Sequence, residues 1–226
     1  MSDSVLVIEA HSDDSAIGAH GFISKLVRDG RKVFFAVVAV SDTKFIHCGK
    51  VTAEQRKYEY ASYVERVGGV WVDQDFPINA EARLDTVPKS QLVSKIENTI
   101  RLVRPSLLIC QAPSFHHDHA ITYEATIAAM RPTVKWCPSE ILLMENPTYV
   151  HSLGPSTDFK PTTYCELSEA EMEEKLACFQ DCFPTQVRDR ENCLSTEGIK
   201  AWAKYRALEC RAEHYAEAFM TYMRRI

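Results

Sequence analysis

Apolar positions along this chain fall into two patterns. Val5–Ala10, Lys32–Val40 (KVFFAVVAV) and Ser106–Cys110 are near-continuous apolar runs, the signature of strands buried on both faces of a parallel sheet. Between them the spacing changes to that of one helical face. Ala19, Phe22, Ile23, Leu26 and Val27 mark a helix that Gly30 closes as a C-cap. Thr52 and Gln55 have capping-box spacing ahead of a helix running to about Val67, ended by Gly68-Gly69, with a short strand at Val70–Val72. Leu92, Val93, Ile96, Ile100 and Val103 predict a further helix, stopped before Pro105. Another is expected from about Ala120 to Met130, ended by Arg131-Pro132.

Past Pro138 the pattern loosens. Ile141–Met144 and Thr162–Glu166 read as later strands, in an antiparallel sense, and Ser168 with Glu171 opens a helix that turns Met172, Leu176 and Phe179 inward. From Gly198 the chain is charged and aromatic and reads as mostly helical. Ser41–Val51 and Asp75–Asp85 lack a period and are expected to be loops. The order of elements predicts an α/β fold, one domain over residues 1–226 with a mostly parallel Rossmann-like sheet and helices on both faces.

Composition narrows the function classes. A length of 226 residues, 46% hydrophobic and 25% charged, suits an ordinary globular chain with a full core. The net charge of −5 and the lack of a basic block argue against nucleic acid as a partner. No apolar run is long enough for a membrane span, and MSDS leads straight into a strand with no signal-peptide pattern, so a cytoplasmic location is expected. The eight cysteines are scattered without a C-x-x-C pair and read as reduced thiols packed as small hydrophobes. Cys178 and Cys182, one helical turn apart, share that reading.

The chemistry gathers in two turns, each following a buried strand. The first carries His11, Asp13 and Asp14; the second carries His116, His117, Asp118 and His119. Ligands of open α/β sheets bind outside the carboxyl ends of strands, so the two turns can share one crevice. A catalytic zinc takes three protein ligands and keeps one position open, and His11, Asp14 and His119 make such a set. Adjacent carboxylates diverge from a turn, which leaves Asp13 as the general base toward a cation-acidified water. His116 is placed to stabilise or protonate what develops across the substrate, as an imidazolium, and Asp118 to orient a histidine. Alone, Ser12-Asp13-Asp14-Ser15 is an ordinary helix N-cap cluster and the histidine run a solvated loop; their shared position after strands favours a metal site. His47, His151 and His214 have no such context, and His20 stands open between core and site. Iron(II) or another divalent ion accepts the same ligands as Zn2+.

These motifs resemble those of the PIG-L/LmbE-like family of zinc-dependent N-acetylglucosaminyl deacetylases. That family's A-H-P-D-D-E stands here as Ala10-His11-Ser12-Asp13-Asp14-Ser15, and its H-P-D-H as His116-His117-Asp118-His119. Arg104-Pro105 before a hydrophobic strand, Arg56 and Glu59 as R-x-x-E, and Tyr215-Ala216-Glu217-Ala218-Phe219 at the end of the chain are also similar. The resemblance implies an LmbE-like fold with His11, Asp14 and His119 as ligands, Asp13 as base, His116 at the transition state and Asp118 tuning it. Ser12 and His117 replace prolines without removing a ligand. Ser15 replaces a glutamate that supports the site, so support is expected from elsewhere.

The expected activity is therefore removal of an N-acetyl group from an N-acetylated amino sugar or related small glycoside, with a small N-acylated molecule as partner. Arg56 and the loops Ser41–Val51 and Asp75–Asp85 are the candidates for holding it. An amidase acting on a non-sugar conjugate, or a metal- or sugar-binding protein without turnover, are the alternatives. A dinucleotide-binding module is disfavoured because no G-x-G-x-x-G follows the first strand.

Overall fold

The structure is a computed structural model that describes residues 3–148 and 159–226. Strand β1 (Ser4–Glu9) is the centre of a seven-stranded sheet, paired in parallel with β2 (Lys32–Val37) on one side and β6 (Leu107–Gln111) on the other. Beyond β2 lies the short β5 (Val70–Trp71), and beyond β6 lies β7 (Glu140–Met144), both parallel. Val5, Leu6, Val7 and Ile8 are all fully buried, as the apolar run requires of a strand covered on both faces.

Helices α1 (Asp14–Gly18), α2 (His20–Arg28), α3 (Ala53–Arg66), α4 (Lys89–Val103) and α5 (His117–Ala129) carry the crossovers. Two apolar clusters separate the layers. Val5, Val7, Leu107 and Ile109 meet α1, α2 and α3 on one face, while Leu6, Ile8, Leu108 and Cys110 meet α4 and α5 on the other. The sheet order β5-β2-β1-β6-β7 reverses direction between β1 and β6. At that reversal the crossovers leave on opposite faces, and the two histidine-bearing turns follow the carboxyl ends of β1 and β6 there.

Several expectations are corrected. Ser41–Val51 contains a small antiparallel hairpin, β3 (Thr43–Phe45) and β4 (Gly49–Val51). Helix α5 begins at His117, so the histidine run is its N-terminus and not a loop ahead of it. At the capping position before α3, Thr52 accepts from the Gln55 N–H, while the full reciprocal box appears at Ser168 and Glu171, opening α6 (Glu169–Cys182).

The end of the chain differs most. It divides into α7 (Thr196–Cys210) and a ten-residue strand, β9 (Tyr215–Arg224), lying between β7 and β8 (Thr163–Leu167) and antiparallel to both. The aromatic and charged residues that suggested helix alternate across this strand: Tyr215, Ala216, Glu217, Ala218 and Phe219 are all buried beneath helices on both faces. His151 lies outside the described residues. None of the helices among the described residues is long and apolar enough to cross a membrane.

Candidate metal centre

The first turn leaves β1 at Ala10 and enters α1 at Asp14, with Asp13 at the N-cap. Gly18 closes this short helix against β7, where an added Cβ would lie 2.2 Å from the Glu145 carbonyl oxygen. The second turn leaves β6 and enters α5, whose N-cap is His116; its Nδ1 accepts from the Asp118 N–H at 3.2 Å. That bond fixes the neutral His116 ring with its proton on Nε2.

The expected ligand atoms converge. His11 Nδ1 lies 3.1 Å from His119 Nε2, His119 Nε2 lies 3.2 Å from Asp14 Oδ1, and Asp14 Oδ2 lies 3.8 Å from His11 Nδ1. Donors on a tetrahedral ion with bonds of about 2.0–2.1 Å stand roughly 3.3 Å apart, so these three fit a small divalent cation. A nitrogen of His116 also comes within 4.8 Å of those of His11 and His119, and a second such grouping joins His116, His117 and Asp118.

Each of the three side chains is held from behind. His11 turns Nε2 to Asp118 Oδ2 at 3.1 Å, and His119 turns Nδ1 to Ser114 Oγ at 3.0 Å. Asp14 accepts from the His11 N–H at 2.9 Å and from Asn146 Nδ2 at 3.0 Å. A carboxylate or hydroxyl on the far nitrogen of an imidazole selects the tautomer and aims the near lone pair, the usual support for a metal-binding histidine. Asp118 is in turn fixed by the N–H groups of Ala82 at 2.6 Å and Leu84 at 3.0 Å. Ala82 has φ of 57°, an unfavourable conformation for a residue with a Cβ, and this kink aims its N–H at the carboxylate.

The local field favours a positive charge. Burial works against a charged His11, but Asp118 and the carboxylates of Asp14, Glu81 and Asp13 outweigh it and lift its pKa to about 9. Burial also disfavours the Asp14 anion, yet His119 and His11 hold its carboxyl well below the usual carboxylate range.

Asp13 behaves differently. Its carboxylate makes no capping bond, although it occupies the N-cap and is only 8% exposed. Burial and the neighbouring Asp14 raise its pKa, with Arg56 and His11 opposing. His116 is pushed down to about 4 by burial and by the positive charges of His11 and His119. Both effects favour the neutral ring, which would offer an N–H in place of the imidazolium expected there.

Arg56 sits on α3, 1% exposed, ion-paired with Glu81 and donating to Ser12 Oγ at 3.3 Å. It thus braces the first turn. Glu59, one helical turn on, accepts from Thr185 Oγ1 at 2.7 Å. Of the remaining histidines, His20 is buried against Ser24 and Tyr63, His47 bonds the Thr185 carbonyl, and His214 lies beside Glu169 and Glu213. None joins the centre.

Sequence reasoning missed Asn146, Ser114, Glu81 and Glu9. Asn146 follows the carboxyl end of β7, so the same strand-end rule that found the histidines points to it as well. Ser114 stands two residues before His116, but Glu81 lies in a segment with no pattern. Glu9 lies fully buried inside the apolar run of β1; burial drives its pKa up to about 8, against the hydrogen bond from Tyr60. A cavity of about 630 Å³ lined by Glu97, Arg101, Arg104, Lys135 and Trp136 lies at the amino ends of the strands, away from all these groups.

The sequence profile of the family described as PIG-L: GlcNAc-PI de-N-acetylase matches residues 6–130. No curated protein sequence matches significantly. Among solved structures, the 4-carboxy-2-hydroxymuconate hydratase GalB from Pseudomonas putida KT2440 is similar with a TM-score of 0.72 and 18% identity, over 100% of this chain and 98% of its own. The N,N'-diacetylchitobiose deacetylase from Pyrococcus horikoshii has the same TM-score and identity over 97% of this chain and 84% of its own. The A40926 pseudoaglycone deacetylase Dbv21 also gives 0.72 and 18%, over 95% of each chain. At these identities the likeness establishes a shared fold.

Proposed function

Because the chain belongs to the PIG-L family, described as GlcNAc-PI de-N-acetylases, we propose that it is a metal-dependent hydrolase removing an N-acetyl group from an N-acetylated amino sugar or related small glycoside. One observation carries this reading. His11, Asp14 and His119 bring donor atoms within 3.1–3.8 Å of one another at the sheet's reversal point, while the adjacent buried Asp13 caps nothing. Two of the similar structures are of deacetylases, one named for N,N'-diacetylchitobiose and one for the A40926 pseudoaglycone.

His11, Asp14 and His119 would hold the ion, zinc or iron(II). When bound, it supplies Lewis acidity, polarising an amide carbonyl and bringing the pKa of water toward about 7. Asp13 accepts the proton of the attacking water and passes it to the leaving amine. Burial suits it to this task, since a carboxylate with a raised pKa is a stronger base toward the water proton. His116 donates its Nε2 hydrogen to the developing oxyanion as a neutral group. Asp118 keeps His11 aimed, and Arg56 keeps the Ser12 turn in place beside the substrate. Glu81, paired with Arg56, is joined to Ser41 by two hydrogen bonds of 3.1 and 3.0 Å, and the segments that carry these two residues are the candidates for holding the substrate.

The test is elemental analysis of the purified protein together with acetate release from a panel of N-acetylated amino sugars. Non-sugar amides and an unsaturated carboxylic acid complete the panel, the last because one similar structure is a hydratase. Acetate from an amino sugar, lost in Asp13→Ala with the metal retained, supports the assignment. Wild-type protein that carries no metal and turns over nothing in the panel refutes it.

A further inference from the structure

Alternation along β1 places Val5, Val7 and Glu9 on one face, the face that packs against α1, α2 and α3. Two of these are core residues. The third puts a carboxyl group into the same apolar layer, fully buried, two residues before the first proposed metal ligand. Its two oxygens are both used: Oε2 accepts from the Ser15 N–H at 2.8 Å and Oε1 from the Tyr60 O–H at 2.6 Å. Gln111, on the neighbouring strand just past the Ile8–Cys110 pair, makes no side-chain hydrogen bond among the described residues and offers Ser15 no alternative.

Ser15 itself is fully buried, and among the described residues its Oγ reaches only the Tyr63 hydroxyl, at 3.5 Å. Position 15 is where the family pattern carries a carboxylate and this chain does not. We infer that Glu9 is a positioning residue, supplying from the strand the support missing at position 15 and fixing the turn that presents His11 and Asp14. The inference rests on the metal-centre reading and adds a residue to it. Helix α3 then grips the turn at two points, through Arg56 on Ser12 and through Tyr60 and Glu9 on Ser15. With both ends tied, the peptide between them has little freedom to swing Asp14 away from His119.

The experiment measures zinc affinity by chelator competition, with thermal unfolding of the metal-free protein run in parallel. Glu9→Gln keeps an acceptor and is expected to bind zinc within about threefold of wild type. Glu9→Met keeps the volume but not the acceptor, and should bind about 10–100-fold more weakly, the usual cost of losing a group that orients metal ligands. The decisive pair is Glu9→Ser alone against Glu9→Ser with Ser15→Glu, which exchanges the two side chains. Recovery of at least about tenfold in affinity by the exchange supports the inference, and the expected scale is the same orienting contribution. Zinc binding by Glu9→Met equal to wild type overturns it, as does an exchange variant no better than Glu9→Ser. If Glu9→Met does not fold, the exchange pair decides. Wild-type protein without zinc affinity is a separate outcome that removes the metal reading and this inference together.

Discussion

Asp14 and Glu217 are both buried carboxylates, and their surroundings could hardly differ more. Glu217, on β9, accepts from Lys175 Nζ at 2.7 Å and from the N–H groups of Gly21 and Phe22 at 2.9 and 2.8 Å. Nearby, Glu145 is matched by Arg206, which donates from Nε at 2.9 Å. In this back region each charge meets its opposite, and backbone donors fill the spare lone pairs of Glu217. At the front, Asp13, Asp14 and Asp118 crowd around His11 and His119, and the donor atoms face one another. A chain does not gather unbalanced charge in its interior for stability, because desolvation costs more than such contacts return. Balanced burial marks architecture, and unbalanced burial marks a place where something is meant to bind.

Breaking the front region tests this most severely. His119→Ala should lose stoichiometric metal by elemental analysis and take activity to background, with the melting temperature of the metal-free protein little changed. Asp13→Asn should keep the metal and lower kcat by about 10²–10⁴, the range for a general base. A variant that keeps near wild-type kcat would remove Asp13 from the mechanism.

The back region should respond in stability. Lys175→Met leaves Glu217 without its cation and should cost about 3–5 kcal/mol in denaturant unfolding, while any metal bound to the folded protein stays. Loss of metal in that variant would mean that the two regions are not separate devices.

The smallest effect comes from His20, beside Lys175 and Arg66, whose charges add to burial in lowering its pKa to about 3. The unfolded chain takes up a proton near pH 6.5 that the folded protein refuses, so stability falls as pH drops from about 6.5 toward 3. The slope from this one group is about 1.4 kcal/mol per pH unit. His20→Phe should flatten that part of the stability–pH curve, measured by denaturant midpoints at pH 4–7. An unchanged slope would mean that other groups dominate acid sensitivity.

The residues themselves show how far reading the sequence reaches. Val5–Ala10 and Ser106–Cys110 were legible because a strand buried on both faces is apolar nearly throughout, Glu9 being the exception in the first. His11, Asp14 and His119 were legible because they stand next to those strands in a pattern that a surface loop seldom repeats. The Tyr215–Arg224 strand was not, since alternation and helical spacing are hard to separate when both faces are buried. Asn146 lies far along the chain from Asp14, which it braces, and only its place at a strand end marks it; Glu81, which pairs with Arg56, has no local pattern at all. Arg56 was picked out from the sequence, but its pairing with Glu81 and its bond to Ser12 were not, since both depend on segments distant in the chain.

By itself, then, the order of residues determined the buried parallel strands, most of the helices, and which two turns carry the histidines and aspartates at their ends, because these follow from local spacing and burial. Tertiary structure alone decided that Asp118 meets His11, that the rings of His116, His11 and His119 gather in one buried place, and that Glu9 reaches Ser15. Each of these depends on distances between segments far apart in the chain, and on a low-dielectric interior that exists only once the sheet has closed around them.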